Sequence, residues 1–384
     1  SRPRWIMLAG PPLLAAIAAV PGLAGGTGLR TGATSLEPAH AMAACAPAEA
    51  DSPRPGRGRT AAPGTWWRTE SLLDATGTLD GWVLQVGAPD ASTSELRIPA
   101  ASTVTGPAGG RIVVASEPVI AGDLSIVRIV DAAAGCATEI RIADRVARRA
   151  VADPGGDGAL VHLLETGTRG DLGVWRVGVD GQIAGQLIEP LPRSLREAVG
   201  MDGAWVTDLR LDADGGRLAV QSCDPEVCVT RILNLTSGAI AVLDAEGQGP
   251  IVGFSGRQLV TWGACPGMPC PVLAWNTAEG SARTLAPAAA GAALSGDGQT
   301  LAVLLPGPDG GRELVAIDVR SGAASPAGTA GADDAPLSGA AGSIAGLETS
   351  GSTVAIGHAG VVPAPRVLRD DSATSVPPDP EVQP

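Results

Sequence analysis

The residues equipped for chemistry are few, with six cysteines and three histidines among 384 residues. Two cysteine pairs share one spacing, CxxxxC, at Cys223 and Cys228 and again at Cys265 and Cys270. Such a pair either bridges a hairpin as a disulfide or offers thiolates to zinc. Zinc loops hold their ligands on tight knuckles, and thiols of exported proteins are usually oxidised, so the spacing predicts a local disulfide in each loop. Each would close a short loop, for a stabilisation of roughly 2 kcal/mol or less. Cys45 and Cys136 are left as an odd pair. Among the histidines His40, His162 and His358, His162 lies inside the apolar run ALVHLLE and reads as packed rather than catalytic. No HExxH, no GxSxG and no metal-spaced His/carboxylate group is present. Asp212-Ala213-Asp214-Gly215 opens like a calcium loop but lacks the later carboxylates, which favours an ordinary turn. Trp66-Trp67 has faces on which sugar rings stack, although covering an apolar flank is the better reading. Asn234-Leu235-Thr236 has the form of a glycosylation sequon but coincides with a turn that recurs along the chain. No cofactor and no metal follows from these residues.

Composition narrows the classes further. Gly (53) and Pro (32) suit a chain that turns every few residues. There is no Lys and no Tyr, and Phe254 is the single Phe. Without Lys, a Walker-type phosphate loop, a Schiff-base enzyme and a Ser–Lys dyad are excluded. The net charge is −13, and residues 1–64 carry six Arg against three acidic residues, so the remainder is strongly acidic. An acidic body with no basic, aromatic-laced stripe repels phosphate backbones, which argues against nucleic-acid binding.

The elements that must position these groups begin after a leader. Arg2 and Arg4 precede residues 5–23, WIMLAGPPLLAAIAAVPGL, an uncharged apolar run. A positive flank, an apolar centre and small residues beyond it predict an export signal peptide, or an uncleaved membrane anchor with its N-terminus in the cytoplasm. Pro11, Pro12 and Pro21 weaken the run as a helix. Two A-x-A sites, at 39–41 and 41–43, lie far from it, and Met42-Ala43-Ala44-Cys45 has the outline of a lipoprotein box. Residues 24–64, rich in Gly, Ala, Pro and Arg, read as a flexible tether. The acidic, Pro-rich tail 370–384 is expected to be disordered.

Between leader and tail, two marks recur. One is a Gly turn with an aliphatic three residues on that opens a strand: Gly109/Ile112, Gly158/Val161, Gly215/Leu218, Gly256/Leu259, Gly298/Leu301 and Gly351/Val354. The other is an Asp or Asn closing a later strand with Gly four residues beyond: Asp131/Gly135, Asn234/Gly238, Asn276/Gly280 and Asp318/Gly322. Successive first marks stand 49, 57, 41, 42 and 53 residues apart. Four short strands per period of that size are the signature of propeller blades. The glycines supply turns with positive φ, and Asp or Asn bonds its own following backbone to start a turn. One such sheet cannot bury its own flanks, so the units must stack and close.

The segments FSGRQL, LSGDGQTLAVLL and LDADGGRLAV resemble the strand–turn–strand of WD40-like and TolB-type bacterial propeller repeats. VLAWNTAEG, ELVAIDVRSG and ILNLTSG resemble their third strand and its turn. The resemblance spans about residues 104–330 and implies an all-β propeller of four-stranded blades. It says almost nothing of activity, because the repeat hosts unrelated functions. The blades fall at 106–141, 149–190, 205–244, 251–285, 292–327 and 343–368, with 66–98 as a degenerate seventh. Seven blades is the expected number and six the alternative, within a propeller domain of 65–369.

In propellers of this type the loops from second to third strands, and from fourth strand to the next blade, share one face. Both CxxxxC loops fall there, as do 306–311 and the longest insertion, LPRSLREAVGMDG at 191–203. That face is the expected binding surface, with Arg193, Arg196, Asp224, Glu226 and Met268 as its candidate residues. The functional expectation is a non-catalytic, monomeric propeller outside the cytoplasm that binds a protein, peptide or glycan of the cell envelope. It would touch a membrane only through its N-terminal segment. The alternatives are a hydrolase- or lactonase-type enzyme with carboxylates in the central channel, where the first strands offer mainly Asp208, and the sensor domain of a single-pass membrane protein.

Overall fold

The computed structural model describes residues 40–45, 66–73, 79–87, 93–108, 111–118, 124–131, 134–199, 201, 205–212, 214–224, 227–243, 248–265, 269–294, 298–307, 312–330, 334–335, 354–358 and 366–368. All belong to one compact unit, Ala39–Pro384. The expected leader at 1–23 and tail at 370–384 lie outside the described residues. Among those described, no helix is long and apolar enough to cross a membrane.

The fold is a β-propeller. Strands β1 (His40–Ala41) and β2 (Ala43–Ala44) precede the first sheet, in which β3 (Trp66–Leu73), β4 (Leu79–Gly87) and β5 (Thr93–Pro99) form an antiparallel meander. A second meander follows in β6 (Ser102–Ala108), β7 (Arg111–Ser116), β8 (Ser125–Asp131) and β9 (Cys136–Ile142). The third is β10 (Arg145–Ala152), β11 (Ala159–Glu165), β12 (Asp171–Val177) and β13 (Ile183–Ile188). A short helix, α1 (Arg193–Val199), leads to the fourth, β14 (Trp205–Leu211), β15 (Arg217–Cys223), β16 (Cys228–Asn234) and β17 (Ile240–Val242). The fifth holds β18 (Gln248–Ser255), β19 (Gln258–Gly263), β20 (Cys270–Asn276) and β21 (Ala282–Ala289). The sixth holds β22 (Gly291–Leu294), β23 (Thr300–Pro306), β24 (Arg312–Asp318) and β25 (Ala324–Ala330). Three further strands, β26 (Asp334–Ala335), β27 (Val354–His358) and β28 (Arg366–Leu368), form a smaller sheet.

The residues read as a tether contain structure that sequence did not suggest. β1 pairs in parallel with β5 and supplies the fourth strand of the first sheet. β2 pairs in parallel with β9 and adds a fifth strand to the second. Cys45, directly after β2, is disulfide-bonded to Cys136 at the start of β9.

The third sheet buries both faces against neighbours, and β11 shows how. Its odd residues Val161 and Leu163 join Val113, Val127 and Ile140 of the second sheet. Its even residue Leu160 joins Val206, Leu218 and Val220 of the fourth. A period of two with both sides apolar is what strands covered on two faces require. The same arrangement repeats between the fourth and fifth sheets around Phe254 and Trp275, and between the fifth and sixth around Val272 and Val303.

The recurrent Asp/Asn–Gly turn is built alike in four sheets. The amides of Gly135, Gly238, Gly280 and Gly322 donate to the carbonyls of Asp131, Asn234, Asn276 and Asp318, at 2.8–2.9 Å. The side-chain oxygen of each opening residue accepts a nearby amide, for example Ser237 N to Asn234 Oδ1 at 2.9 Å. All four glycines have positive φ, the conformation that branched residues adopt only with strain. Asn234 is thereby engaged in its turn, as is Asp212, whose Oδ1 accepts the amides of Gly216 and Arg217. Gly158 differs from the first marks Gly215, Gly256 and Gly298, whose φ is positive. Its φ is not positive, and glycine is needed because a Cβ there would meet the Val177 carbonyl oxygen at 2.1 Å.

Candidate functional site

The face expected to bind is assembled by packing. Cys223 and Cys228 bridge the β15–β16 hairpin, and Cys265 and Cys270 bridge the β19–β20 hairpin. In the first of these loops Asp224 accepts the Val227 amide at 2.7 Å and donates its own amide to the Val227 carbonyl at 3.0 Å. α1 settles against this loop: Leu191, Met201 and Val229 are buried together, with Leu195, Val199 and Val227 against them. The helix opens after Pro192, whose carbonyl accepts the amides of Leu195 and Arg196. Its apolar side is thus fixed to a cross-linked hairpin, while Arg193 points to solvent and pairs with Glu197 at 2.7 Å. Both of those side chains are more than half exposed, so the pair itself adds little stability. Arg196 is half-buried, and its carbonyl accepts the Met201 amide. Arg193, Arg196 and Asp224 therefore lie on one assembly of α1 and the Cys223–Cys228 loop. Glu226 and Met268 lie outside the described residues, as do the side chains of Trp66 and Trp67.

A second group gathers on the first strands, which stand beside one another from β6 through β22. Four of these strands are bulged. The register shifts between Thr105 and Ala108 in β6, between Ala147 and Arg149 in β10, between Val206 and Asp208 in β14, and twice between Gln248 and Gly253 in β18. A bulge leaves a residue without its ladder partner and re-aims its neighbours. Here the freed carbonyls stitch sheets together: Thr103 Oγ1 donates to Arg148 O at 2.7 Å, and Arg149 Nε donates to Thr207 O at 2.8 Å. Asp208 follows directly, with Oδ2 3.3 Å from Arg210 Nη2 and Oδ1 accepting the Leu209 amide at 2.8 Å. Burial pushes the Asp208 carboxyl above its ordinary range, against the pull of Arg210 and Arg149. Burial likewise lowers the Arg149 guanidinium; Asp208 opposes this, and Arg148 and Arg210 add to it. Sequence reasoning reached Asp208 and missed the arginines, although Arg148-Arg149 within the strand RVARRAVA was the available signal.

His162 is fully buried on β11, and its Nε2 lies 2.9 Å from Asp171 Oδ1. Its Nδ1 has no hydrogen-bond partner. Burial would raise the Asp171 carboxyl, but His162, the Gly173 amide and Arg231 together hold it below the ordinary range. Arg231, from β16 of the next sheet, also donates to Glu189 O at 2.7 Å. With His162 sealed from solvent, this cluster fastens the third sheet to the fourth.

No protein-family model matches the chain, and no curated protein matches it. Solved structures do. A puromycin-hydrolyzing peptidase of Mycobacterium tuberculosis is 16% identical at a TM-score of 0.49, over 83% of this chain and 52% of the peptidase. A putative 6-phosphogluconolactonase of Bacteroides uniformis is 14% identical at 0.41, over 69% of this chain and 82% of that one. TolB of Acinetobacter baumannii is 11% identical at 0.34, over 76% and 75% respectively. The chain spans about half the length of the peptidase. These likenesses are distant, and a propeller fold hosts unrelated activities, so none of theirs is carried over to this chain.

Proposed function

We propose that the protein is a non-catalytic propeller outside the cytoplasm that binds a protein, peptide or glycan of the cell envelope on the face carrying α1 and the cystine loops. The observation that carries this reading is the anchoring of α1. Leu195 and Val199 tie an otherwise exposed helix to a disulfide-closed hairpin, so its charged side is presented without the entropy cost of ordering a free loop. Three disulfides favour an oxidising compartment. Capture of envelope material by the full chain should be lost on charge reversal at Arg193 and Arg196, and on deletion of residues 191–203, with the melting temperature of the Arg193→Glu variant unchanged. Equal capture by the deletion variant, or loss that only tracks a lower melting temperature, would end this reading.

One observation favours the rival reading, an enzyme working in the channel: Asp208 is a carboxyl raised by burial on a first strand, a feature that acid catalysts share. Screening ester, lactone and glycoside substrates against wild type and Asp208→Asn decides it. Turnover that vanishes in the variant supports the enzyme, and no turnover in either leaves binding as the function.

A further inference from the structure

We propose that the bulged first strands of the third and fourth sheets form a binding site for a small ligand bearing an oxyanion, a carboxylate or phosphate group, held between the guanidinium groups of Arg149 and Arg210. This site lies on the inner strands and is independent of the α1 face.

The donors are in place and under-used. Arg149 donates through Nε to Thr207 O and has only a long contact, 3.5 Å, from Nη1 to Arg148 O. Arg210 meets Asp208 through Nη2 at 3.3 Å, while its Nε is buried with no hydrogen-bond partner. Guanidinium donors lie in one plane as a fork that matches two oxygens of a carboxylate or phosphate. The local charge balance favours such a guest. Around Arg149 stand the cations Arg148 and Arg210 and the carboxylates Asp208 and Glu117, and Glu117 is already held by Arg169 at 3.3 Å. Burial acts first against the charge on Arg149, and the two neighbouring cations act in the same direction. An anion seated among them relieves that crowding, and it does so where water is scarce, since the side chains of Asp208 and Arg210 are only 16% and 17% exposed.

The geometry also explains why the site is on these two strands. The shifts at Ala147/Arg149 and Val206/Asp208 put two bulges at neighbouring positions of adjacent sheets. They bring the Arg149 side chain to the freed Thr207 carbonyl, directly before Asp208, a contact that regular alternation would not place there. Asp208 then acts as a resident competitor: its carboxylate occupies Arg210 until a stronger anion arrives.

The test is calorimetric titration of the full chain with inorganic phosphate and, separately, with citrate, with glucose as the uncharged control. The expected result is saturable one-to-one binding of at least one anion and none of glucose. A preference for phosphate marks a phosphoryl ligand, and a preference for citrate a carboxylate. Arg210→Gln should weaken binding about tenfold or more, the worth of one charge-assisted bond. Asp208→Asn should strengthen it by removing the competitor, which keeps the test decisive if Arg210→Gln fails to fold. Absence of saturable binding by both anions, or affinities unchanged in both variants, would overturn the proposal.

Discussion

At the scale of single residues, the His162–Asp171 pair shows how a buried polar group is made tolerable. His162 is sealed in the core, so the tautomer carrying its proton on Nε2 is the one that satisfies Asp171 at 2.9 Å. That choice leaves Nδ1 as an unpaired acceptor, which costs less than an unpaired N–H. Asp171 in turn is the anion that Arg231 faces across the sheet boundary. Because the Asp171 carboxyl sits below its ordinary value near 4, the folded state binds its proton less readily than the unfolded chain does. Its contribution is therefore present above that ordinary value and lost as pH falls through the lower folded value. Asp171→Asn should lower stability at neutral pH by about 2 kcal/mol, the worth of a bond to a charged group. It should also flatten the acid limb of a plot of melting temperature against pH. An unchanged acid limb would mean that the pair carries no linkage. Asp208 has the opposite sign. Its raised carboxyl favours folding in acid and loses that advantage as pH rises through the carboxylate range, so Asp208→Asn should gain stability at neutral pH relative to acid.

At the scale of elements, the N-terminal strap is the feature that changes the account of stability. β1 and β2 lie across the outer edges of two sheets, cover strand edges that would otherwise stand open, and are tied down by Cys45–Cys136. That disulfide spans 91 residues, whereas each hairpin bridge spans 5. In the chain-entropy picture the long loop is worth roughly 4–5 kcal/mol and each short one about 2 kcal/mol. Chemical denaturation of a Cys45→Ser/Cys136→Ser double variant should therefore show the larger loss, and a loss equal to that of Cys223→Ser/Cys228→Ser would contradict the role of the strap. The contrast also shows what was legible in sequence. The hairpin pairs could be read because both partners sit on one local turn, and the Asp/Asn–Gly turns because a single positive-φ position demands glycine. The strap could not be read: His40-Ala41 has no strand signature, and its pairing with β5 is non-local. The basic cluster was obscured for a related reason. Bulges at Ala147/Arg149 and Val206/Asp208 override the alternation by which a strand sequence assigns side chains to faces.

At the scale of the whole molecule, stability resides between the sheets rather than within them. Leu218 on β15 is fully buried, and the core cluster that holds it draws on β10, β11, β12 and β13 of the preceding sheet as well as on β14 and β16 of its own. Arginines bind the same seams with polar contacts. Arg217 meets Asp212 at 2.9 Å in its own sheet, reaches Thr277 and the Gly256 carbonyl of the next, and lies 5.3 Å from the Phe254 ring centroid. Arg283 of β21 reaches the carbonyls of Val319 and Arg320 after β24. In a chain without Lys, the planar fork of Arg suits this task, because one side chain can serve several carbonyls at once. A sheet whose flanks are buried only by its neighbours cannot unfold alone without exposing theirs. Leu218→Ala should then cost about 2–5 kcal/mol through its cavity. The loss should appear in both partners of the seam: native-state hydrogen exchange at β11 in the third sheet should speed up together with that at β15 in the fourth. Faster exchange confined to β15 would mean that the sheets are independent modules, and the seams would then not be the seat of stability.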